Sequence, residues 1–208
     1  DIGGATDIAR AITLQADGAI VIVGRVAPSG GSDPDIGALR YLADGSLDDT
    51  FGDQGVLRDE TAAWDEPWDV LALDDGGFLV AAHATGTSGA VGTMARYTAQ
   101  GDIDTTFGTA GRTVVPGLQL VRELVAVDED RYVVVGLSAG APDFTIMRLE
   151  QDGALDTSFG DDGVVRVDFF GAADEATAVA VQADGKLLAA GPVKNGTTNL
   201  VGVARVMP

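Results

Sequence analysis

Asp44-Gly-Ser-Leu-Asp-Asp-Thr-Phe-Gly-Asp-Gln-Gly55 decides the fold, because the chain repeats it. It returns as Asp152-Gly-Ala-Leu-Asp-Thr-Ser-Phe-Gly-Asp-Asp-Gly163 and, more loosely, as Gly101-Asp-Ile-Asp-Thr-Thr-Phe-Gly-Thr-Ala-Gly111. A segment recurring at a fixed interval marks a repeat architecture, in which each unit buries its apolar face against its neighbours. Other anchors keep the same period. The turn pair Asp17-Gly18 recurs as Asp75-Gly76, Glu129-Asp130 and Asp184-Gly185, and a small residue follows at Gly24, Ala82, Gly136 and Gly191. An arginine comes next at Arg40, Arg96, Arg148 and Arg205, and Phe51, Phe107 and Phe159 close three of the copies. Equivalent anchors lie 52 to 58 residues apart, which divides the chain into repeats at about residues 1–60, 61–116, 117–169 and 170–208.

Within a repeat the local signals are those of β-structure. Ile8–Gln15 and the Ile- and Val-rich run Ala19–Val26 flank a tight Asp-Gly turn, the pattern of a hairpin. A loop rich in Gly, Pro and Ser (residues 27–34) leads to a third strand at Ile36–Leu42. A short fourth strand follows the Phe-Gly segment at Gly55–Arg58, Arg112–Val115 and Val164–Asp168. The third strand is apolar on both faces: Ala38, Met94, Ile146 and Val203 on one, Leu39, Ala95, Met147 and Ala204 on the other. Such a strand is covered on both sides. No apolar stripe of helical period appears. Four strands per unit of about 50 residues predict an all-β propeller of four blades forming one domain over residues 1–208.

The Asp-Gly hairpin, the Met94-Ala95-Arg96-Tyr97 strand and the Gly-Ser-Leu-Asp-Asp-Thr-Phe-Gly motif resemble the bacterial delta-60 repeat family. The likeness spans essentially the whole chain. It implies β-propeller repeats in a secreted or surface protein. It transfers no catalytic residue, because the shared pattern is structural.

The fourth copy stops at Val203-Ala-Arg-Val-Met-Pro208 without the Leu-Asp-x-x-Phe-Gly segment or a last strand. Its blade is expected to be three-stranded, with an open edge at Leu200–Met207. More chain, another chain, or a ring tolerating a short blade would each accommodate it. Self-association or contact with a parent chain through this blade is therefore one expectation.

Charge narrows the partners. Formal net charge is −19, from 26 Asp and 6 Glu against 13 basic residues, of which only Lys186 and Lys194 are lysine. A surface of this sign repels nucleic acid and anionic membrane. No apolar run reaches the 18 or so residues of a spanning helix, and no signal peptide stands at Asp1, so the chain reads as a mature or excised portion. The absence of cysteine excludes disulfides and thiolate metal sites.

Arg40, Arg96 and Arg148 each precede an aspartate by eight residues (Asp48, Asp104, Asp156) on a strand otherwise apolar. A guanidinium there needs an internal acceptor, and Arg205, with no such aspartate, needs a different one. The aspartates also suit turn capping, with Gly52, Gly108 and Gly160 admitting positive φ and the phenylalanines plugging the gap between blades. The alternative is Ca²⁺ in loops built on Asp44, Asp48 and Asp53 or Asp152, Asp156 and Asp161. The middle copy weakens it by placing Thr109 where the others have Asp53 and Asp161.

Features that do not repeat are the better functional candidates. Trp64 and Trp68 occur only in the second repeat and suit stacking on a carbohydrate or another small ligand at the channel mouth. Asp69 and Glu123 occupy a position that is Ala11 and Ala178 in the other repeats, with Arg10 and Arg122, further candidates for ligand binding, one residue before it in repeats one and three. Paired carboxylates there would serve a hydrolase of esterase, lactonase or glycosidase type, with or without Ca²⁺; Asp-Arg and Glu-Arg pairing is the structural reading. A serine triad finds little support, since His83 is the single histidine and no Gly-x-Ser-x-Gly elbow exists. The reading favoured by the repeats is a non-catalytic binding or structural module, which the resemblance sets outside the cell or at its surface.

Overall fold

Aspartates start the hairpins. Asp17 Oδ1 accepts from the Ala19 N–H at 2.9 Å, Asp75 Oδ1 from Gly77 at 2.8 Å and Asp184 Oδ1 from Lys186 at 3.2 Å. Each clamp closes over a glycine in the left-handed region (Gly18, Gly76 and Gly185, φ 80–85°), which a side chain would strain. In the third repeat, where the pair is Glu129-Asp130, Asp128 takes over and accepts from Asp130 at 3.1 Å.

From these turns the computed structural model builds four antiparallel sheets; it describes residues 2, 6–27, 35–60, 64–86, 89–138, 140 and 143–207. Most of the loop expected at residues 27–34 lies outside them. The chain divides into two compact units, Asp1–Val114 and Val115–Pro208. The first unit holds β1 (Ile8–Leu14), β2 (Ile20–Val26), β3 (Asp35–Tyr41) and β4 (Val56–Asp59) as blade one. Blade two follows with β5 (Trp64–Ala72), β6 (Phe78–Gly86), β7 (Gly89–Tyr97) and β8 (Arg112–Val114). The second unit holds β9 (Leu118–Ala126), β10 (Arg131–Ser138), β11 (Phe144–Glu150) and β12 (Val164–Val167) as blade three. Blade four is β13 (Ala178–Val181), β14 (Leu187–Asn195) and β15 (Thr198–Val206). Neighbours in sequence are neighbours in each sheet, and the fourth sheet has three strands. The protein is all-β, with four sheets of similar size in a β-propeller-like repeat architecture.

A bulge recurs in the first strand. Register slips between Ala9 and Ala11, between Pro67 and Asp69, and between Val121 and Glu123, leaving Arg10, Trp68 and Arg122 as the extra residues. A bulge drives the strand toward its partner and re-aims one side chain. It also explains the recurrent small residue. A Cβ on Gly24 would meet the Ile8 carbonyl oxygen at 2.2 Å, and one on Gly136 the Leu120 oxygen at 1.9 Å. At Gly191 the Glu175 oxygen would lie at 2.0 Å. Blade two manages the same approach with Ala82.

Each unit buries one blade face against the next. In the first, Val21, Val23, Ile36, Ala38 and Leu57 of blade one pack on Val70, Phe78, Val80, Ala82, Ala95 and Tyr97 of blade two. Phe51 joins that core, its ring 6.0 Å from Phe78, which in turn stacks on Tyr97 at 5.0 Å. The Tyr97 hydroxyl donates to Asp59, which also holds Arg112. Burial and the Asp59 charge push the Tyr97 phenol well above its usual pKa. In the second unit, Val133, Val135, Phe144 and Ile146 of blade three meet Val179, Leu187, Ala189 and Ala204 of blade four, with Phe159 in the same core. Each fully buried Val, Leu or Phe contributes roughly 1.5–3 kcal/mol.

Candidate functional site

The repeated arginines and aspartates form one closed loop built three times. The Asp48 N–H donates to the Arg40 carbonyl at 3.0 Å and Phe51 donates to Asp48 at 3.1 Å; the counterparts around Arg96 and Arg148 match within 0.1 Å. Arg40 Nη1 lies 3.1 Å from Asp48, with Asp17 and the Gln15 amide oxygen at 2.8 Å. Arg96 pairs with Asp104 at 3.1 Å and Asp75 at 2.6 Å. Arg148 is the most buried; its Nε donates to Asp156 at 2.6 Å, Nη2 reaches Ser158, and its guanidinium lies 4.7 Å over Phe159. Phe107 is buried at the equivalent position of the second copy. Arg205 lacks the loop and acts electrostatically on Asp184, beside Lys186.

Those aspartates are engaged from within. The Thr50 hydroxyl, then its N–H and Arg40, hold the Asp48 carboxyl below the usual carboxylate range against the opposing effect of burial. Thr106 and Arg96 do the same for Asp104, and Ser158 and Arg148 for Asp156. Asp44 and Asp152 accept from the N–H groups of Ser46 and Ala154. A hard cation wants six to eight oxygens facing it. Here hydroxyls, amides and guanidinium groups face the carboxylates, and among the described residues no three His, Cys, Asp or Glu are grouped to hold a metal ion.

The non-repeating residues converge at the bulges of the first unit. Arg10, the extra residue of β1, reaches across to blade two. Its Nε donates to Glu66 Oε1 at 2.9 Å, and its guanidinium sits 5.0 Å over the Trp68 ring. Trp68, the extra residue of β5, donates its indole N–H to His83 Nδ1 at 2.9 Å, with the rings 6.2 Å apart and inclined by 29°. That bond places the proton of neutral His83 on Nε2. Glu66, whose backbone pairs with His83, is buried and also faces Arg25 Nη1 at 3.5 Å. The result is a half-buried cluster of two guanidinium groups, one carboxylate, an indole and an imidazole at the junction of blades one and two. Trp64 opens β5, but its side chain lies outside the described part of the molecule.

The second unit repeats only the bridge. Arg122, the extra residue of β9, donates from Nε to Glu175 at 2.6 Å. Glu175 is the counterpart of Glu66, three residues before Ala178 as Glu66 is before Asp69. Where the first unit adds Trp68, His83 and Arg25, the second has Thr177, Pro192 and Leu137. The carboxylates proposed as a pair serve the backbone, each in its own unit: Asp69 accepts from the Val70 N–H at 2.8 Å and Glu123 from Val179 at 2.5 Å. The sequence reading missed Glu66 and Glu175. Their signal was an alternation of period two blades, with Arg10 and Arg122 in odd repeats and Glu66 and Glu175 in even ones, where Ile8 and Leu120 otherwise stand.

The comparisons agree with this geometry. Residues 15–51 and 130–159 match a family described as a domain of unknown function (DUF5122) beta-propeller. Both segments run from the hairpin turn to the Phe of the arginine-aspartate loop, one in blade one and one in blade three. No curated protein matches the chain. Among the described residues no helix is long and apolar enough to cross a membrane.

Proposed function

We propose that the chain is a non-catalytic binding module of the delta-60 repeat kind, working outside the cell or at its surface. Its ligand is a small polar molecule, a carbohydrate first, held by the cluster of Arg10, Arg25, Glu66, Trp68 and His83. The observation that carries the reading is the contrast between units. Both contain the bulge and its arginine-glutamate bridge, so the bridge belongs to the scaffold, whereas Trp68, His83 and Arg25 are additions the scaffold does without. They supply what a sugar needs: donors and an acceptor for hydroxyls beside an aromatic ring for its apolar face. Asp69 and Glu123, the acid and base of a hydrolase reading, are occupied by backbone N–H groups, which favours a structural part for them.

Calorimetric titration with a panel of mono- and oligosaccharides tests this. The expected result is saturable binding that falls at least tenfold in Trp68→Leu and in Arg25→Ala. Ester, lactone and glycoside substrates, with and without chelator, should show no turnover. Turnover abolished by Asp69→Asn would overturn the binding reading in favour of a hydrolase.

A further inference from the structure

The two bulge bridges differ in charge. In the second unit the Glu175 carboxylate faces one guanidinium, Arg122, and the position of Arg25 is Leu137. In the first unit two guanidinium groups share the carboxylate of Glu66. Its Oε1 accepts from Arg10 Nε at 2.9 Å, and its Oε2 lies 3.5 Å from Arg25 Nη1. The first contact is a well-formed charge-assisted bond; the second exceeds the about 2.7–2.9 Å of one. Among the described residues Glu66 is the only carboxylate within ion-pair reach of either arginine. Its neighbours on β5 face elsewhere: Asp65 acts electrostatically on Tyr97 and Arg112, and Asp69 accepts from Val70. With His83 neutral, the cluster holds one positive charge more than it balances, in a chain whose formal net charge is −19. Arg25 is the unbalanced member. Its side chain is 23% exposed, yet its Nε is buried with no hydrogen-bond partner. A buried N–H that donates to nothing costs free energy, and the scaffold needs no arginine there, as Leu137 shows.

We propose that the ligand of this site is an acidic sugar, a uronic acid residue whose carboxylate pairs with Arg25 while its ring lies at Trp68. The assignment rests on the binding reading above and narrows it to one ligand class. An arginine offers a carboxylate the side-on fork of its Nε–H and Nη2–H, two parallel bonds that a single sugar hydroxyl cannot match. In Arg25 that edge is the unpaired one, because the contact to Glu66 is made by Nη1. A turn of the side chain toward solvent presents the fork to an incoming carboxylate, which supplies both the missing acceptor and the missing charge. Glu66 sets the spacing. Buried and held by Arg10, it keeps Arg25 on one oxygen and, through Arg10, the Trp68 ring on the side of the other. All of these groups belong to the first unit.

Calorimetric titration of the whole chain with galacturonate and glucuronate oligosaccharides, each beside its methyl ester, tests this. Esterification keeps the shape of the sugar and removes its charge. The wild type should bind one of the acids at least tenfold tighter than the matching ester. In Arg25→Gln, which keeps an amide for hydroxyls and drops the charge, that preference should shrink to less than about threefold, with ester affinity little changed. Trp68→Leu should weaken acid and ester alike and leave the preference intact. Circular dichroism checks that both variants are folded, and the wild-type comparison stands even where one is not. Equal affinity for acid and ester in the wild type overturns the acidic class and leaves the binding reading in place. An acid preference that survives in a folded Arg25→Gln overturns the assignment of the carboxylate to Arg25. Displacement of the uronate by acetate at equal concentration would show a general carboxylate site and overturn the sugar acid. If no saccharide binds, charged or neutral, the binding reading and this inference fall together.

Discussion

At the scale of single residues, the arginine-aspartate pairs differ in burial, and their energetic weight should follow. Arg148 and Asp156 are both about 5% exposed, so Arg148→Ala takes the close counter-charge from a buried carboxylate and leaves it only Arg131 at 3.8 Å. The expected loss is about 3–5 kcal/mol by urea unfolding. Arg96 spreads its charge over the half-exposed Asp75 and the less buried Asp104, so Arg96→Ala should cost clearly less. Equal losses would show that burial does not rank these pairs. Acid should act on the same groups. Asp48, Asp104 and Asp156 have carboxyl pKa values lowered in the folded state, chiefly by the hydroxyls of Thr50, Thr106 and Ser158. Such groups contribute stability that is complete above the unfolded value near ~3.9 and is lost as pH falls through the lower folded value. Thermal unfolding followed across acidic pH should place that loss below the ordinary carboxylate range. In Ser158→Ala the contribution should be smaller and its loss complete at higher pH; an unchanged profile would remove the hydroxyl from the account.

At the scale of elements, the bulge ties the fold to the site. It moves Arg10, Trp68 and Arg122 out of strand alternation and brings backbone within 2.2 Å of where a Cβ would stand on Gly24 and Gly136. Gly136→Ala should therefore cost about 1–3 kcal/mol, because its Cβ meets backbone that cannot yield as a side chain would. Gly45→Ala, where a Cβ has nothing within 4 Å, isolates the contribution of left-handed backbone alone and should cost less by chemical denaturation. The strands, the turns and the arginine-aspartate loop were legible in the sequence because each is signalled by residues close together in the chain. Asp17-Gly18 marks its own turn, and Arg40 lies eight residues from Asp48. The small residue at Gly24 and its equivalents was visible, but its cause was not, since the extra residue of a bulge looks like any other until pairing is known. Glu66 was illegible for a related reason. Its partner Arg10 lies one blade away, and four copies averaged together hide an alternation that runs every second copy.

At the scale of the whole molecule, two units carry the same bridge, Arg10 to Glu66 and Arg122 to Glu175, and one of them carries the added indole and imidazole. The account divides these residues into scaffold and ligand site, and the division is measurable. The most direct measurement sets Arg122→Ala beside Trp68→Leu, reading thermal stability and calorimetric saccharide binding on each. The account predicts opposite losses. Arg122→Ala should melt several degrees lower, because Glu175 loses its counter-charge, and should bind like the wild type. Trp68→Leu should melt within a few degrees of the wild type and lose at least tenfold in affinity. Saccharide binding unchanged in Trp68→Leu would contradict the assignment of the cluster as the ligand site.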